Sequence, residues 1–241
     1  TNVNWLEDAV NSATIHQTVC PKYVIIVKDG AVSPEVDEFL HRFTEENKSL
    51  DIRIIASSSN QGHGITRNLA LQACQTEFFG VVDDDDISMP DRFEVLLDVI
   101  RSDDSLACVG GQFEEFSETE SGEAEILESP SHLPVTPEGR REFARFRCPI
   151  AQPSCVLRKD HVVSVGGYKH WHMNEDYYLW LRLIANDFNI VNSAKTLLKF
   201  RVNSGTYTRR GGFKYWRSEL ALQIWSYKNG TGSLRSIVFG G

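Results

Sequence analysis

The sequence predicts an α/β domain: a mixed, mostly parallel sheet with helices on both faces. Three observations predict it. Short β-branched or aromatic runs alternate with amphipathic stretches through the first half of the chain. The spacing between successive runs suits crossover helices, which join parallel strands. Asp29 and Asp83 each directly follow one of the runs. Ligands of such sheets bind beyond the carboxyl ends of the strands, so both aspartates are expected along one ligand-binding edge.

The elements follow in order. "NWLEDAVNSATIHQT" repeats apolar residues at helical spacing through Leu6, Ala9, Val10 and Ala13, and Pro21 comes after it. "YVIIVKDG" is a short β-branched run, expected as a buried strand that Gly30 ends. "SPEVDEFLHRFTEEN" reads as a helix with Ser33 as N-cap and Pro34 at its first position. "LDIRIIASS" is a second strand. "NQGHGITRNLALQACQ" is a glycine turn leading into a helix, with Ile65, Leu69 and Ala73 expected on its packed face. "EFFGVVD" is a strand, and "MPDRFEVLLDVIRSD" a helix with Phe93, Leu96, Leu97 and Ile100 on one stripe. Beyond these, "LACVGGQFEEF" is a strand, and the acidic, proline-spotted stretch from Ser117 to Gly139 an exposed excursion. "PSCVLRKDHVVSVGGYK" suggests a strand, a short helix and a glycine turn. "NEDYYLWLRLIAND" is a helix with Tyr177, Leu181 and Ile184 aligned. "NIVNSAKTLLKFRVN" has room for two short strands, and "YWRSELALQIWSYKNG" is a terminal helix aligning Trp216, Leu220, Ile224 and Tyr227.

Composition narrows the class. A chain of 241 residues with 41% hydrophobic content suits one large globular domain. A net charge of -8 argues against broad nucleic-acid binding, so no nucleic-acid partner is expected. The five cysteines, Cys20, Cys74, Cys108, Cys148 and Cys155, have no CxxC spacing, which suggests neither a zinc site nor a disulfide framework and fits a reducing, cytoplasmic setting. No apolar run reaches bilayer-spanning length, and no signal peptide is visible. The start at Thr1 and the end in "IVFGG" are what a trimmed chain would show.

Four consecutive carboxylates, Asp83 to Asp86, end the "EFFGVVD" strand. They repel one another unless water or a cation surrounds them. A solvated turn is one reading. A site for Mg²⁺ or Mn²⁺, which prefer hard oxygen ligands and bridge carboxylates to phosphates, is the other. Glu175 and Asp176 open a helix, where acids compensate the macrodipole; the alternative is a general base aimed into a site. "NQGHGITRN" places glycines and Arg67 at a helix start, suited either to plain helix initiation or to phosphate binding. "RVNSGTYTRRGG" is a solvated turn or a phosphate-gripping loop, with Lys199 and Arg201 just ahead of it. His170 and His172 flank Trp171, as surface histidines or acceptor-side groups.

Taken in order, "VIIVKDG", "NQGHGITRNLAL", "VVDDDDISMPDRFE", "GGYKHWHMNEDYYLWLRL" and "KFRVNSGTYTRR" resemble a family 2 glycosyltransferase of the GT-A fold, of the bacterial surface-polysaccharide type. The resemblance spans nearly the whole chain as one domain. It implies a nucleotide-sugar-binding half over 1–110 and an acceptor-binding and catalytic-base half over 111–241. It further implies inverting, metal-dependent sugar transfer from a nucleotide sugar, usually a UDP-sugar, with Mn²⁺ or Mg²⁺ as cofactor. By that likeness Asp29 contacts the base and Arg67 sits on the nucleotide side. Asp83 and Asp85 form the DxD element, Asp83 reaching ribose or metal-bound diphosphate and Asp85 ligating the metal. Asp84 takes the variable middle position and Asp86 is an extra acid. Asp176 is the catalytic base, and Arg201, Arg209 and Arg210 approach the diphosphate. The implied acceptor is a glycan or a lipid-linked sugar, which suggests a cytoplasmic protein, peripheral at the inner face of the inner membrane.

One departure accompanies the likeness. An apolar strand is expected ahead of "NWLEDAVNSA", and the sequence starts at that helix, so the sheet should lack an inner strand. Two alternatives remain beside the transferase: a nucleotide-sugar-binding fragment without turnover, and a nucleotidyltransferase. The latter would want a glycine-rich activating loop with a lysine near its N-terminus, which the sequence does not display.

Overall fold

The computed structural model describes residues 1–118, 124–127, 131–203 and 212–239. Helix α1 (Val3–Ser12) is capped by the Asn2 carboxamide, which accepts from the backbone N–H groups of Asn4 and Trp5. Strand β1 (Tyr23–Asp29) runs parallel to β2 (Asp51–Ser57), and α2 (Pro34–Glu46) crosses between them. Leu6 and Val10 of α1 pack with Val36, Phe39, Leu40 and Phe43 of α2, above Ile26 and Ile52 of the strand pair.

The second sheet takes the order β3 (Phe78–Gly80), β7 (Val156–Arg158), β5 (Leu106–Glu118), β8 (Asn189–Arg201), β4 (Ile87–Ser88), with β6 (Ala124–Ile126) paired to β5. Its two faces can be read from alternation. Cys108, Leu157 and Ile190 face a core with Leu179, Trp180 and Leu183 of α7 (Glu175–Ala185). Their neighbours Val109, Val156 and Val191 face the other way, onto Phe93, Leu96 and Ile100 of α4 (Arg92–Arg101). Successive strand residues point to opposite faces, so each of these strands serves two helical layers. The short helices α5 (Pro137–Phe143) and α6 (Lys159–Ser164), the terminal helices α8 (Phe213–Lys228) and α9 (Leu234–Phe239), a 3-10 turn (Gln152–Ser154) and α3 (His63–Ala73) complete the described elements. No helix among the described residues is long and apolar enough to cross a membrane.

The sheet is mixed, as expected, but among the described residues parallel pairing is confined to β1–β2 and β5–β8, and the other four pairings are antiparallel. The alternation that predicts parallel strands ends with the first half of the chain. There β3 and β4 take their partners from β7 and β8, strands that return from the irregular second half. The larger correction is that β1–β2 forms a separate sheet. Between β1 and β3 lies a cleft of about 1330 Å³ whose body is apolar, lined by Val24, Ile26, Leu71, Phe79 and Phe93. Among the described residues β1 pairs with β2 alone and β3 with β7 alone, so the strand edges facing this cleft have no ladder partner. The open edges leave β1 half-buried along its length instead of buried.

Two smaller expectations also change, and the side on which α8 packs, which alignment alone leaves open, becomes visible. In α3 the buried residue is Leu71, while Ile65 is exposed, because the helix packs through a face one step round from the predicted stripe. The segment after residue 188 forms one long strand with register shifts against β5, not two short ones. In α8 the aligned aromatic and aliphatic stripe faces outward: Trp216, Ile224 and Tyr227 are exposed, and Leu222, Gln223 and Ser226 are buried.

Candidate active site

The site is built at the carboxyl ends of β1 and β3. Asp29, at the end of β1, accepts hydrogen bonds from the backbone N–H groups of Gln61 (2.7 Å) and Gly62 (2.9 Å). It thereby holds the turn that starts α3. Gly62 takes φ +88° there, a conformation L side chains rarely adopt. Asp29, Arg67, Asp83, Asp85 and Arg201 all line the polar end of the cleft, which places Asp29 and Asp83 on one edge as the strand order requires.

Arg67 is the centre of the arrangement. From the first turns of α3 its Nη2 donates to Asp83 (3.1 Å) and its Nη1 to Glu175 (2.9 Å). One guanidinium thus joins the aspartate run to the first turn of α7, 108 residues away in sequence. Burial works against its charge, but the carboxylates of Asp83, Asp176 and Glu175 together raise its pKa, so it stays protonated. Asn68, next along α3, fixes the same junction. Its Nδ2 donates to the Tyr168 carbonyl (2.6 Å) and its Oδ1 accepts from the Tyr168 N–H (2.8 Å). Gly167 makes this possible, since a Cβ there would lie 2.7 Å from Asn68 Oδ1.

The four aspartates are treated unequally. Asp83 pairs with Arg67. Asp84 is exposed and accepts from the Thr1 hydroxyl (2.6 Å). Asp85 is half-buried and its backbone carbonyl accepts from Arg201 Nε (2.7 Å). Asp86 is buried; its Oδ1 accepts from the Arg201 N–H (2.9 Å), and its Oδ2 has no partner among the described residues. Burial and neighbouring Asp83 push the Asp86 carboxyl up to about 8, against the opposing effect of that N–H. Arg92, fully buried in α4, secures the run at both ends by donating to the Val81 carbonyl (2.7 Å) and to the Ser88 hydroxyl (2.9 Å).

Asp176 is half-buried in the first turn of α7, where its Oδ1 accepts from the Tyr177 N–H (2.7 Å) and its Oδ2 lies 4.0 Å from Cys148 Sγ. It does not line the cleft, and stands next to Glu175, which Arg67 grips. The macrodipole reading and the functional one are compatible at this position.

Arg201 departs from expectation. Its guanidinium is buried, pairs with Glu118 and Asp8, donates to Asp85 O, and lies between the rings of Trp5 and Phe116. Every nitrogen has an internal acceptor, so it acts here as a clamp joining α1, β5 and the aspartate run, not as an arginine turned toward a diphosphate. Lys199 similarly faces Glu114, at 3.8 Å. Arg209 and Arg210 lie outside the described residues. His172 offers its carbonyl to the Ser218 hydroxyl, and the Trp171 ring meets Tyr178 at a tilt, centroids 4.5 Å apart, so that segment is a packing surface between α7 and α8. Sequence reasoning missed Glu118 and Asn68, which carry no local signal because each acts through partners distant in the chain; Arg92 lies within the "VVDDDDISMPDRFE" stretch, but its hold on Val81 and Ser88 is visible only in the structure.

Asp83 and Asp85 are oxygen donors of the kind Mg²⁺ and Mn²⁺ take. Among the described residues no group of three or more Asp, Glu, His or Cys converges as a ready-made metal cage. The donor set therefore fits an ion held by one or two carboxylates, with other ligands from a phosphate and water.

A family model for "Glycosyl transferase family 2" matches residues 2–164. An Escherichia coli protein, "UDP-Gal:alpha-D-GlcNAc-diphosphoundecaprenol beta-1,3-galactosyltransferase", is 30% identical over 93% of this chain and 78% of its own length. The "Amylovoran biosynthesis glycosyltransferase AmsE" of Erwinia amylovora is 31% identical over 86% of this chain and 74% of its own. Among solved structures, the mannosyltransferase PcManGT from Pyrobaculum calidifontis, in complex with GDP-Man and Mn²⁺, aligns with 99% of this chain and 75% of its own at TM-score 0.66 and 12% identity. Residues 1–349 of TarS from S. aureus, in complex with UDP, align with 92% of this chain and 61% of their own at TM-score 0.66 and 16% identity. At these identities the two structures speak for the fold alone.

Proposed function

Because this chain belongs to glycosyl transferase family 2, and is therefore a glycosyltransferase of the GT-A fold, we propose that it performs inverting, metal-dependent transfer from a UDP-sugar to a lipid-linked or glycan acceptor in bacterial polysaccharide synthesis. The observation that carries the reading is the Arg67 bridge, which brings the aspartate run and the start of α7 to one place. An inverting transfer needs that convergence: leaving-group stabilisation on one side of the sugar and a base on the other. The lipid-linked acceptor and the UDP donor draw on the name of the E. coli relative.

In this reading residues 1–110 bind the donor and 111–241 supply the acceptor side and the base. Asp29 meets the nucleoside end and Arg67 the diphosphate side. Asp83 and Asp85 would hold Mn²⁺ or Mg²⁺, which would supply positive charge against the departing diphosphate. Asp176 accepts the proton of the acceptor hydroxyl. That oxygen forms a bond to the anomeric carbon from the face opposite the diphosphate, whose C–O bond breaks and whose oxygen keeps the electron pair. Glu175, held by Arg67, fixes the orientation of the helix turn that carries the base. On this reading the enzyme works on the cytoplasmic side of the membrane, where nucleotide sugars are made.

The test is a panel of nucleotide sugars with short-chain lipid-diphosphate sugars as acceptors, with and without Mn²⁺. Asp85→Ala should abolish the response to metal, and undiminished activity in that variant would sink the metal assignment. Asp176→Asn should lower turnover at least about 10²-fold while leaving donor binding in place. An equal loss of donor affinity would reassign Asp176 to binding. A chain that binds the donor without turning it over is the alternative; catalytic turnover of any donor in the panel refutes it.

A further inference from the structure

The outward face of α8 and α9 has no place in the transfer site, and its chemistry is unusual for a free surface. Phe213, Trp216, Leu220, Ile224 and Tyr227 follow one another at offsets of three or four residues, so they form a single stripe along α8. Leu220 is half-buried and the other four are exposed, Phe213 by 72%. Leu234 and Val238 of α9 add exposures of 63% and 71%. The inner side of α8 reverses the usual pattern: the polar Gln223 and Ser226 are buried there beside Leu222. The apolar stripe was therefore not left over from core packing; the core takes the other side of the helix.

Charge identifies what covers the stripe. From Phe213 to Val238 the basic residues are Lys214, Arg217, Lys228 and Arg235, all exposed, and the only acid is Glu219, a net of +3 on a chain whose total is -8. None of the four forms an ion pair among the described residues. An apolar stripe with Trp and Tyr, flanked by Lys and Arg, is the chemistry of a helix lying in a lipid headgroup region. A symmetric second copy would bring the same cations face to face, which like charges oppose. We propose that α8 and α9 dock on an anionic lipid bilayer surface, with Phe213, Trp216, Ile224, Tyr227, Leu234 and Val238 in the acyl–headgroup boundary and the four cations against lipid phosphates.

The docking surface lies one helix from the candidate base. Gln223 Nε2 reaches the Tyr177 hydroxyl at 3.4 Å, and the Trp225 ring meets Tyr178 edge-on at 4.9 Å, both on α7 beside Asp176. Docking would bring that turn to the bilayer, where a lipid-linked acceptor resides; this consequence rests on the function proposed above, whereas the docking does not.

The experiment is sedimentation of the full chain with vesicles of equal phosphatidylglycerol and phosphatidylcholine, and with phosphatidylcholine alone. Binding is expected to the anionic vesicles, to weaken as salt rises, and to shift tryptophan emission to the blue. Replacing Lys214, Arg217, Lys228 and Arg235 together by Gln should lower partitioning on the order of 10³-fold. Trp216→Gln/Ile224→Gln should lower it at least about tenfold, with an unchanged melting curve because both side chains are exposed. Transfer to a soluble acceptor is measured on the same variants; its absence in all proteins would count against the proposed function and leave the vesicle result standing. The docking is overturned by no sedimentation with anionic vesicles, by equal binding to neutral ones, by undiminished binding in either variant, or by a dimer that Trp216→Gln/Ile224→Gln dissolves.

Discussion

Replacing Arg67 by Met keeps an unbranched stem in place of the aliphatic part of the side chain and removes the guanidinium charge that joins α3, the aspartate run and α7. The wild-type guanidinium and Glu175 are each 17% exposed and Asp83 is 33% exposed. Removing one partner of a buried ion pair costs about 3–5 kcal/mol, because the other charge is left without compensation. The partial exposure of Asp83 puts the expected loss at the lower end, about 3 kcal/mol. In a chain of this size that lowers the melting temperature by roughly 6–12 °C, at about 2–4 °C per kcal/mol. Two double-mutant cycles by urea unfolding at pH 7 separate the partners. Arg67→Met with Glu175→Gln should show a coupling of about 2 kcal/mol, and Arg67→Met with Asp83→Asn about 1 kcal/mol, since the more exposed pair is better screened by water. Couplings below about 0.5 kcal/mol in both cycles, or an unchanged melt in Arg67→Met, would refute the claim that this guanidinium holds the site together.

Two further outcomes follow from the same structure. The Asp86 carboxyl, pushed up to about 8 by burial, keeps a proton in the folded chain that the unfolded chain releases near pH 4. Its folded pKa is raised, so its contribution is full at low pH and is lost as pH climbs toward 8. Asp86→Asn keeps an acceptor for the Arg201 N–H and cannot ionise; measured in chelator, its stability relative to wild type should grow by about 2 kcal/mol between pH 6 and 8, and parallel curves would show that Asp86 titrates normally. Gly110→Ala places a methyl group 2.6 Å from Asn192 Oδ1 and 2.7 Å from Ile150 Cγ2 in the centre of β5. A loss of about 1–3 kcal/mol in urea unfolding is expected from overpacking, and a neutral result would mean that the β5 region yields more easily than its burial implies.

Much of the fold could be read from local pattern. Ser33 and Pro34 at the start of α2, Phe93, Leu96 and Ile100 along α4, and Tyr177 and Leu181 along α7 occupy the positions their spacing implies. Such features depend on neighbours within one or two turns. Strand pairing does not: β3 and β4 are short, and whether each meets a parallel or an antiparallel partner depends on where β7 and β8 return. The outward stripe of α8 was visible as alignment, yet alignment alone does not say which side of a helix faces protein. The site divides in the same way. The aspartate run and the Glu175–Asp176 pair stand out because carboxylates at strand and helix ends are conspicuous. Arg201 looked like a loop-side cation and is a buried clamp, because Glu118, Asp8 and two aromatic rings reach it from elements remote in sequence.

The sequence by itself determined which residues could carry charge, ligate a cation or accept a proton, and which stretches would be helix or strand, since propensity and periodicity act over a few residues. Only the tertiary structure decided which of those groups meet. It set Arg67 between Asp83 and Glu175, buried Asp86 while leaving Asp84 exposed, and split the parallel pair from the larger sheet. The reason is physical: ion pairing and desolvation depend on distance and burial in space, and neither is a property of residues adjacent along the chain.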